Sequence, residues 1–122
     1  MKNISIQVKT TFLKEQSIPA QNRYTYTYTI TIKNQSGHPT TLISRHWIIT
    51  DAQNNTQEVQ GLGVVGEQPR LEPGDEYSYT SGVILATETG SMKGSYQMQT
   101  DEGHTFTAII PPFILVPPHA IH

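Results

Sequence analysis

The sequence predicts an all-β fold, an antiparallel β-sandwich built from short strands. Apolar and polar residues alternate with a period of two along much of the chain, and no segment sustains the spacing of an amphipathic helix. Apolar residues make up 35% of the 122 residues and charged residues 15%, with 9 Gly and 8 Pro. This composition favours many turns between short strands over a helical bundle. A chain of this length is predicted to form one domain, residues 1–122.

The first half of the chain is predicted to contain three strands. Ile4, Ile6 and Val8 would share one face of the first strand. Residues 24–33 alternate strictly, with Tyr and Ile on one face and mostly Thr on the other, and give the clearest strand pattern. Residues 41–51 follow a turn rich in Asn, Ser, Gly and Pro.

The second half is predicted to complete the sandwich. Further strands are predicted at residues 57–60, 76–85, 92–98 and 105–110. Pro73 and Gly74 fit the second and third positions of a type II turn. Pro111 and Pro112 would confine a last strand, residues 113–116, to a sheet edge. Seven or eight strands without crossover helices indicate a sandwich of the immunoglobulin or fibronectin type III kind.

Charge, cysteine content and hydropathy exclude several classes of protein. The net charge is −2, so no general field draws nucleic acid or an anionic membrane to the surface. The absence of Cys excludes disulfide frameworks, thiolate metal sites and cysteine nucleophiles. No apolar run has the length of a signal peptide or of the ~20 residues that cross a membrane. We therefore predict a cytoplasmic protein with no membrane insertion and no nucleic-acid partner.

The segment Gly61-Leu62-Gly63-Val64-Val65-Gly66 matches the pattern of phosphate-binding loops. The prolines and glycine that follow block the helix that a dinucleotide site requires. Two interpretations stay open. The glycines shape the backbone, or their N–H groups converge on an anion with Arg70 as a charged partner. The anion hypothesis expects Gly63→Val to abolish anion binding while the domain stays folded.

Catalytic and metal-binding constellations are not recognisable in the sequence. Within Ser44-Arg45-His46-Trp47, Trp47 is predicted to be a core aromatic, and Arg45 either stacks on its ring or projects to solvent. His46 as a general base needs a nucleophile or an orienting carboxylate, and neither is identified. The five histidines lack metal-ligand spacing. We predict no enzymatic activity, no metal site and no cofactor.

Seven sequence blocks occur in one order along the chain: YTYTYTITIKN (24–34), SRHWIITD (44–51), EVQGLGVVGEQP (58–69), LEPG (71–74), YTSG (79–82), GSMKGSY (90–96) and the hairpin from Asp101 through Ile110-Pro111. In these blocks the chain resembles the bacterial ApaG family over nearly its whole length. The resemblance implies a fibronectin type III-like sandwich, a protein-binding role, an indirect link to cobalt and magnesium resistance, and a pyrophosphate site at Gly61, Gly63 and Gly66.

The sequence thus predicts a non-enzymatic binding module, acting on a protein partner of unknown identity through a sheet edge or a loop. The alternative is a small-molecule binder that takes pyrophosphate or a nucleotide polyphosphate. Its predicted site consists of Gly61, Gly63, Gly66 and Arg70.

Overall fold

The computed structural model describes residues 3–120 and contains eight β-strands and three short 3₁₀ turns. The strands are β1 Ile4–Phe12, β2 Tyr24–Asn34, β3 Thr40–Asp51, β4 Thr56–Leu62, β5 Arg70–Leu71, β6 Glu76–Leu85, β7 Gly90–Thr100 and β8 Thr105–Leu115. The 3₁₀ turns are Lys14–Gln16, Pro19–Gln21 and Pro118–Ala120. The prediction of an all-β fold with seven or eight strands is confirmed.

The strands form two antiparallel sheets. One sheet has the order β1-β2-β6, and the other has the order β4-β3-β7-β8, with the short β5 paired to the start of β3. The edge strands β6 and β4 lie on the same side of the sandwich, where residues of both strands line one groove. This arrangement confirms the sandwich of the fibronectin type III kind.

The core fills the space between the sheets with the inward residues of each strand. Tyr26, Tyr28, Ile30 and Ile32 of β2 are buried, as the alternation of residues 24–33 predicts. Trp47 is 2% exposed and meets Tyr28 edge-on at a ring-centroid distance of 5.3 Å, which confirms its prediction as a core aromatic. On the outward face of β2, the hydroxyls of Thr29 and Thr31 pair with those of Thr80 and Ser78 of β6.

One turn prediction and one prediction of strand bounds can be compared directly with the structure. Gly74 has φ +90°, and the Asp75 N–H donates to the Glu72 carbonyl at 2.9 Å, as expected for the predicted turn. The predicted separation of residues 105–110 from 113–116 is wrong. A single strand, β8, continues through both prolines, because a register shift against β7 takes up the residues that cannot pair. β8 is an edge strand, as the prolines predict.

Candidate binding groove beside the glycine-rich segment

The glycine-rich segment forms a tight β-hairpin turn. The Val64 and Glu67 main chains exchange hydrogen bonds of 2.8 and 2.9 Å, with two residues between them. Those two residues, Val65 and Gly66, have φ of +41° and +85°. Positive φ at both central positions is the signature of a type I′ turn. The segment therefore continues β4 into a hairpin and precedes no helix.

Close packing explains the glycine at position 63. Gly63 is buried with φ +63°, and a Cβ there would lie closer than 3.0 Å to the Glu67 carbonyl. Its N–H donates to the Ile43 carbonyl at 2.8 Å. The expectation that Gly63→Val leaves the domain folded stays a prediction, and the packing speaks against it, because the side chain would collide with the main chain of the turn.

Gly61 makes room for an arginine. A Cβ at Gly61 would lie 2.9–3.0 Å from the guanidinium of Arg45, the residue opposite it on β3. Arg45 Nη1 donates to the carbonyls of Leu62 and Gly63, each at 3.0 Å. The guanidinium thus lies on the glycine-rich segment instead of taking either orientation expected from the sequence. Sequence reasoning missed this role, since cross-strand register was the only signal for it.

Arg70, the cation predicted for the anion site, has other partners. Its guanidinium forms a two-pronged ion pair with Asp101 and also contacts Glu72 at 2.5 Å. The hydrogen bonds to Asp101 and Glu72 raise the pKa of Arg70, and those from Arg70 lower the pKa of Asp101. Arg70 belongs to β5, whereas Gly61 belongs to β4 and Gly63 and Gly66 to the turn. The anion site of Gly61, Gly63, Gly66 and Arg70 stays a prediction.

A groove of about 510 Å³ lies where β4 and β6 border the space between the sheets. We call it the β4–β6 groove. Arg45 is the one charged side chain among the described residues that line it. The lining consists of Thr25, Tyr28, Arg45, Trp47, Ile49, Gln57, Val59, Ser81, Gly82, Val83 and Ile84. The groove is thus largely apolar and aromatic, with a single cation in its wall.

Two buried tyrosines are electrostatically coupled to Arg45. The hydroxyls of Tyr79 and Tyr96 are hydrogen-bonded at 2.5 Å between the two sheets. Burial raises the pKa of both phenols, and the charge of Arg45 acts in the opposite direction. Both side chains are therefore neutral at physiological pH and provide no counter-charge for the guanidinium.

The main chain of β2 shows which groups of β6 are paired. The Asn34 N–H donates to the Asp75 carbonyl at 3.0 Å, and the Asn34 carbonyl accepts from the Gly74 N–H at 2.7 Å. On the other side, the Thr25 carbonyl accepts from the Leu13 N–H. Because these directions alternate in antiparallel strands, even-numbered residues of β2 bond toward β6 and odd-numbered residues toward β1.

The same alternation identifies the unpaired groups of β6. Tyr26 and Tyr28 lie opposite Val83 and Ser81, so these two residues of β6 bond back to β2. The N–H and C=O groups of Gly82 and the other even-numbered residues point away from β2. β6 pairs only with β2 in the described chain. Its second side is therefore an open edge that borders the β4–β6 groove.

His46 lies on the outward face of the same sheet, away from the groove. Its Nε2 contacts a carboxylate oxygen of Glu58, which is an orienting partner that sequence reasoning did not identify. Ser95 is the residue opposite His46 on β7, but within residues 3–120 no hydrogen bond joins the two. The pair is a polar contact on a sheet surface, and the prediction of no enzymatic activity stays a prediction.

Metal and membrane features can be stated only for the described part of the chain. In residues 3–120, no three His, Asp or Glu side chains lie together in a way that would hold a metal ion. In the same residues, no helix is both long enough and apolar enough to span a bilayer.

The fold and the groove together define a class, a fibronectin type III-like sandwich with an open edge beside an aromatic groove. A family model described as the ApaG domain matches residues 14–100. The chain is 55% identical over 119 residues to Protein ApaG of Pseudomonas aeruginosa, which covers 98% of this chain and 94% of that protein. The chain belongs to the ApaG family, as its resemblance indicates.

Other relatives and solved structures agree with this membership. Protein ApaG of Nitrosomonas eutropha is 52% identical over 120 residues, covering 98% of this chain and 94% of that protein. A crystal structure of the ApaA protein from Bordetella pertussis superposes with a TM-score of 0.94 at 44% identity, covering 98% of this chain and 97% of that one. A protein from Archaeoglobus fulgidus, with 9% identity and a TM-score of 0.52 over 89% of this chain and 96% of that one, shares the fold alone.

Proposed function

We propose that this ApaG-family chain is a non-enzymatic protein-binding module, and that its partner adds an extended strand to the open edge of β6. The observation that supports this proposal is that the edge of β6 is unpaired and lacks the features that usually protect an edge strand. β6 runs for ten residues in unbroken register with β2 and contains no Pro, no Lys and no bulge. Proteins normally protect such edges with these features, because an unpaired edge attracts other strands.

Gly82 supports the same assignment. A Cβ at Gly82 would make only an ordinary contact of 3.6 Å with the Tyr26 carbonyl, so the packing of the domain does not require glycine there. Glycine inside a strand costs about 0.5–1 kcal/mol relative to alanine. A glycine in a strand often marks the close approach of another backbone.

Selection of peptides from a random display library on the immobilised domain tests this function. We expect enriched peptides to shift the amide resonances of residues 78–84 and to lose binding to Gly82→Pro, which removes an outward N–H. Gly82→Ala keeps that N–H and adds only a methyl group where the partner backbone approaches, so as the matched control it should lose much less affinity than Gly82→Pro. No enrichment, or peptides that still bind Gly82→Pro, would refute the proposal.

The alternative, binding of pyrophosphate or a nucleotide polyphosphate at residues 61–66, receives less support. Arg70 is occupied by two carboxylates, and the N–H groups of Gly63, Val64 and Glu67 already have main-chain acceptors. An amide-shift titration with pyrophosphate tests it, since concerted shifts of Gly61, Gly63, Gly66 and Arg70 are expected only if the anion binds. The indirect link to cobalt and magnesium resistance stays a prediction.

A further inference from the structure

We infer that the β4–β6 groove selects an extended peptide with an acidic side chain facing Arg45 and apolar side chains at the next inward positions. This inference rests on the proposed function and adds the chemistry of the partner. It follows from an unbalanced charge in the wall of the groove and from the order of the residues along β3.

Arg45 is a cation without a counter-ion. Its Nη1 bonds to the Leu62 and Gly63 carbonyls, and no Asp or Glu within residues 3–120 forms an ion pair with it. The hydrogen bonds identified for the described residues leave Nε and Nη2 available for another acceptor. A guanidinium presents these donors as a planar fork that matches a carboxylate.

Covering this cation with a neutral peptide would be unfavourable. The peptide would remove water from Arg45 without replacing the lost interactions, which penalises binding. A carboxylate at the same place pairs with the charge and accepts the remaining hydrogen bonds. Two acidic residues lie near this part of the sandwich, and neither forms an ion pair with Arg45. Glu58 contacts His46 on the opposite face, and Glu67 interacts with Tyr77 of β6.

The inward residues of β3 give the order of the motif. Arg45, Trp47 and Ile49 follow one another at intervals of two residues and all line the groove. A strand added to β6 turns every second side chain toward the opposite sheet. One inward side chain of the peptide therefore meets Arg45, and the following ones meet Trp47 and Ile49. The expected motif is acidic-x-apolar-x-apolar, in one chain direction or the other.

The inference is tested on the peptides selected with the wild-type domain. Each acidic residue is replaced by its amide, Glu→Gln or Asp→Asn, and affinities are measured by calorimetry against wild type and Arg45→Met. We expect the amide peptide to bind wild type about tenfold more weakly or worse, and the two peptides to bind Arg45→Met equally. The acidic peptide should also lose affinity as salt concentration rises.

The outcomes separate the inference from the proposed function. Peptides that need the outward N–H of Gly82 but tolerate the acid-to-amide change would overturn the inference and leave the binding module intact. Peptides that do not bind at β6 would overturn both. A dimer of the free domain that Gly82→Pro dissolves would assign the edge to a second copy of this chain. The acid-to-amide comparison on wild type needs no variant, so it remains decisive if Arg45→Met fails to fold.

Discussion

Arg45 and Arg70 illustrate two uses of the same side chain on one domain. Both lie within one sheet, and Arg70 is the closer in sequence to the glycine-rich segment. Arg70 contacts the carboxylates of Asp101 and Glu72, so its charge is balanced on the surface. Within residues 3–120, the hydrogen bonds of the Arg45 guanidinium go to main-chain carbonyls of the glycine-rich segment, and no carboxylate balances its charge beside the open edge.

Cross-strand register, and not proximity in sequence, decides which cation contacts the glycine-rich segment. Gly61 lies opposite Arg45 in the pairing of β4 with β3, and its missing Cβ leaves space for the guanidinium. The glycine motif is thus tied to Arg45 through packing.

Gly63→Val should disrupt the turn whose Gly63 carbonyl accepts a hydrogen bond from Arg45. The new side chain would collide with the Glu67 carbonyl and would force a β-branched residue to adopt φ +63°. We expect a loss of about 3–5 kcal/mol in the free energy of unfolding, measured with a chemical denaturant. Gly37→Val is the control, because open space surrounds Gly37, and it should be nearly neutral. Equal stability of the two variants would contradict the described turn.

Arg45→Met should lower the free energy of unfolding more than Arg70→Met does. Arg45 loses two charged hydrogen bonds, an exposed one to the Leu62 carbonyl and a partly buried one to the Gly63 carbonyl, which corresponds to about 1–3 kcal/mol. Arg70 loses ion pairs on an exposed surface, where solvent screens the charges. Thermal and denaturant unfolding of both variants at neutral pH measure the difference. The contrast between the arginines fails if Arg70→Met proves the more damaging change.

Val65→Asn should stabilise the hairpin that holds the Gly63 carbonyl. Val65 has φ +41°, which a β-branched residue adopts only with strain, and Asn-Gly is the preferred pair in a type I′ turn. We expect a gain of about 1 kcal/mol in the free energy of unfolding. Val65→Thr keeps the branched Cβ and should give no gain. A loss of stability in Val65→Asn would show that the turn is of another type.

Acid should weaken the contribution of Arg70 and leave that of Arg45 unchanged. Hydrogen bonds from Arg70 lower the pKa of Asp101 below its usual value. The ion pair therefore stabilises the fold above the pKa of an unfolded aspartate and loses this effect as pH falls through the folded-state pKa. Carbonyl acceptors of Arg45 do not titrate in this range.

Unfolding measured from neutral to acidic pH distinguishes the two cases. The destabilisation by Asp101→Asn should shrink as pH falls, while that by Arg45→Met should persist. A destabilisation by Asp101→Asn that is independent of pH would contradict the assigned ion pair.

Much of the fold was predictable because alternating apolar and polar residues indicate strands, and residues such as Pro and Gly indicate turns, within a short stretch of sequence. Residues 24–33 and the turn around Gly74 need only neighbouring residues to be recognised, and both occur as predicted. The continuation of β8 through Pro111 and Pro112 was not predictable, since it depends on a register shift against β7. The two-residue strand β5 was missed because it is too short to show a period.

The candidate site was predictable only in part. The glycine motif identified the correct segment, but its spacing did not distinguish a hairpin turn from an anion-binding loop. Arg45 and His46 acquire their partners, Gly61 and Glu58, through the pairing of β3 with β4. The open edge of β6 follows from strand order, which a single sequence does not specify.

Whether Arg45 is the cation that binds the partner can be measured from the guanidinium Nε–H resonances of Arg45 and Arg70 during titration with an acidic peptide selected on the domain. We expect the Arg45 resonance to shift in step with the amides of residues 78–84, while the Arg70 resonance stays in place. A shift of Arg70 with Arg45 unchanged would contradict this expectation.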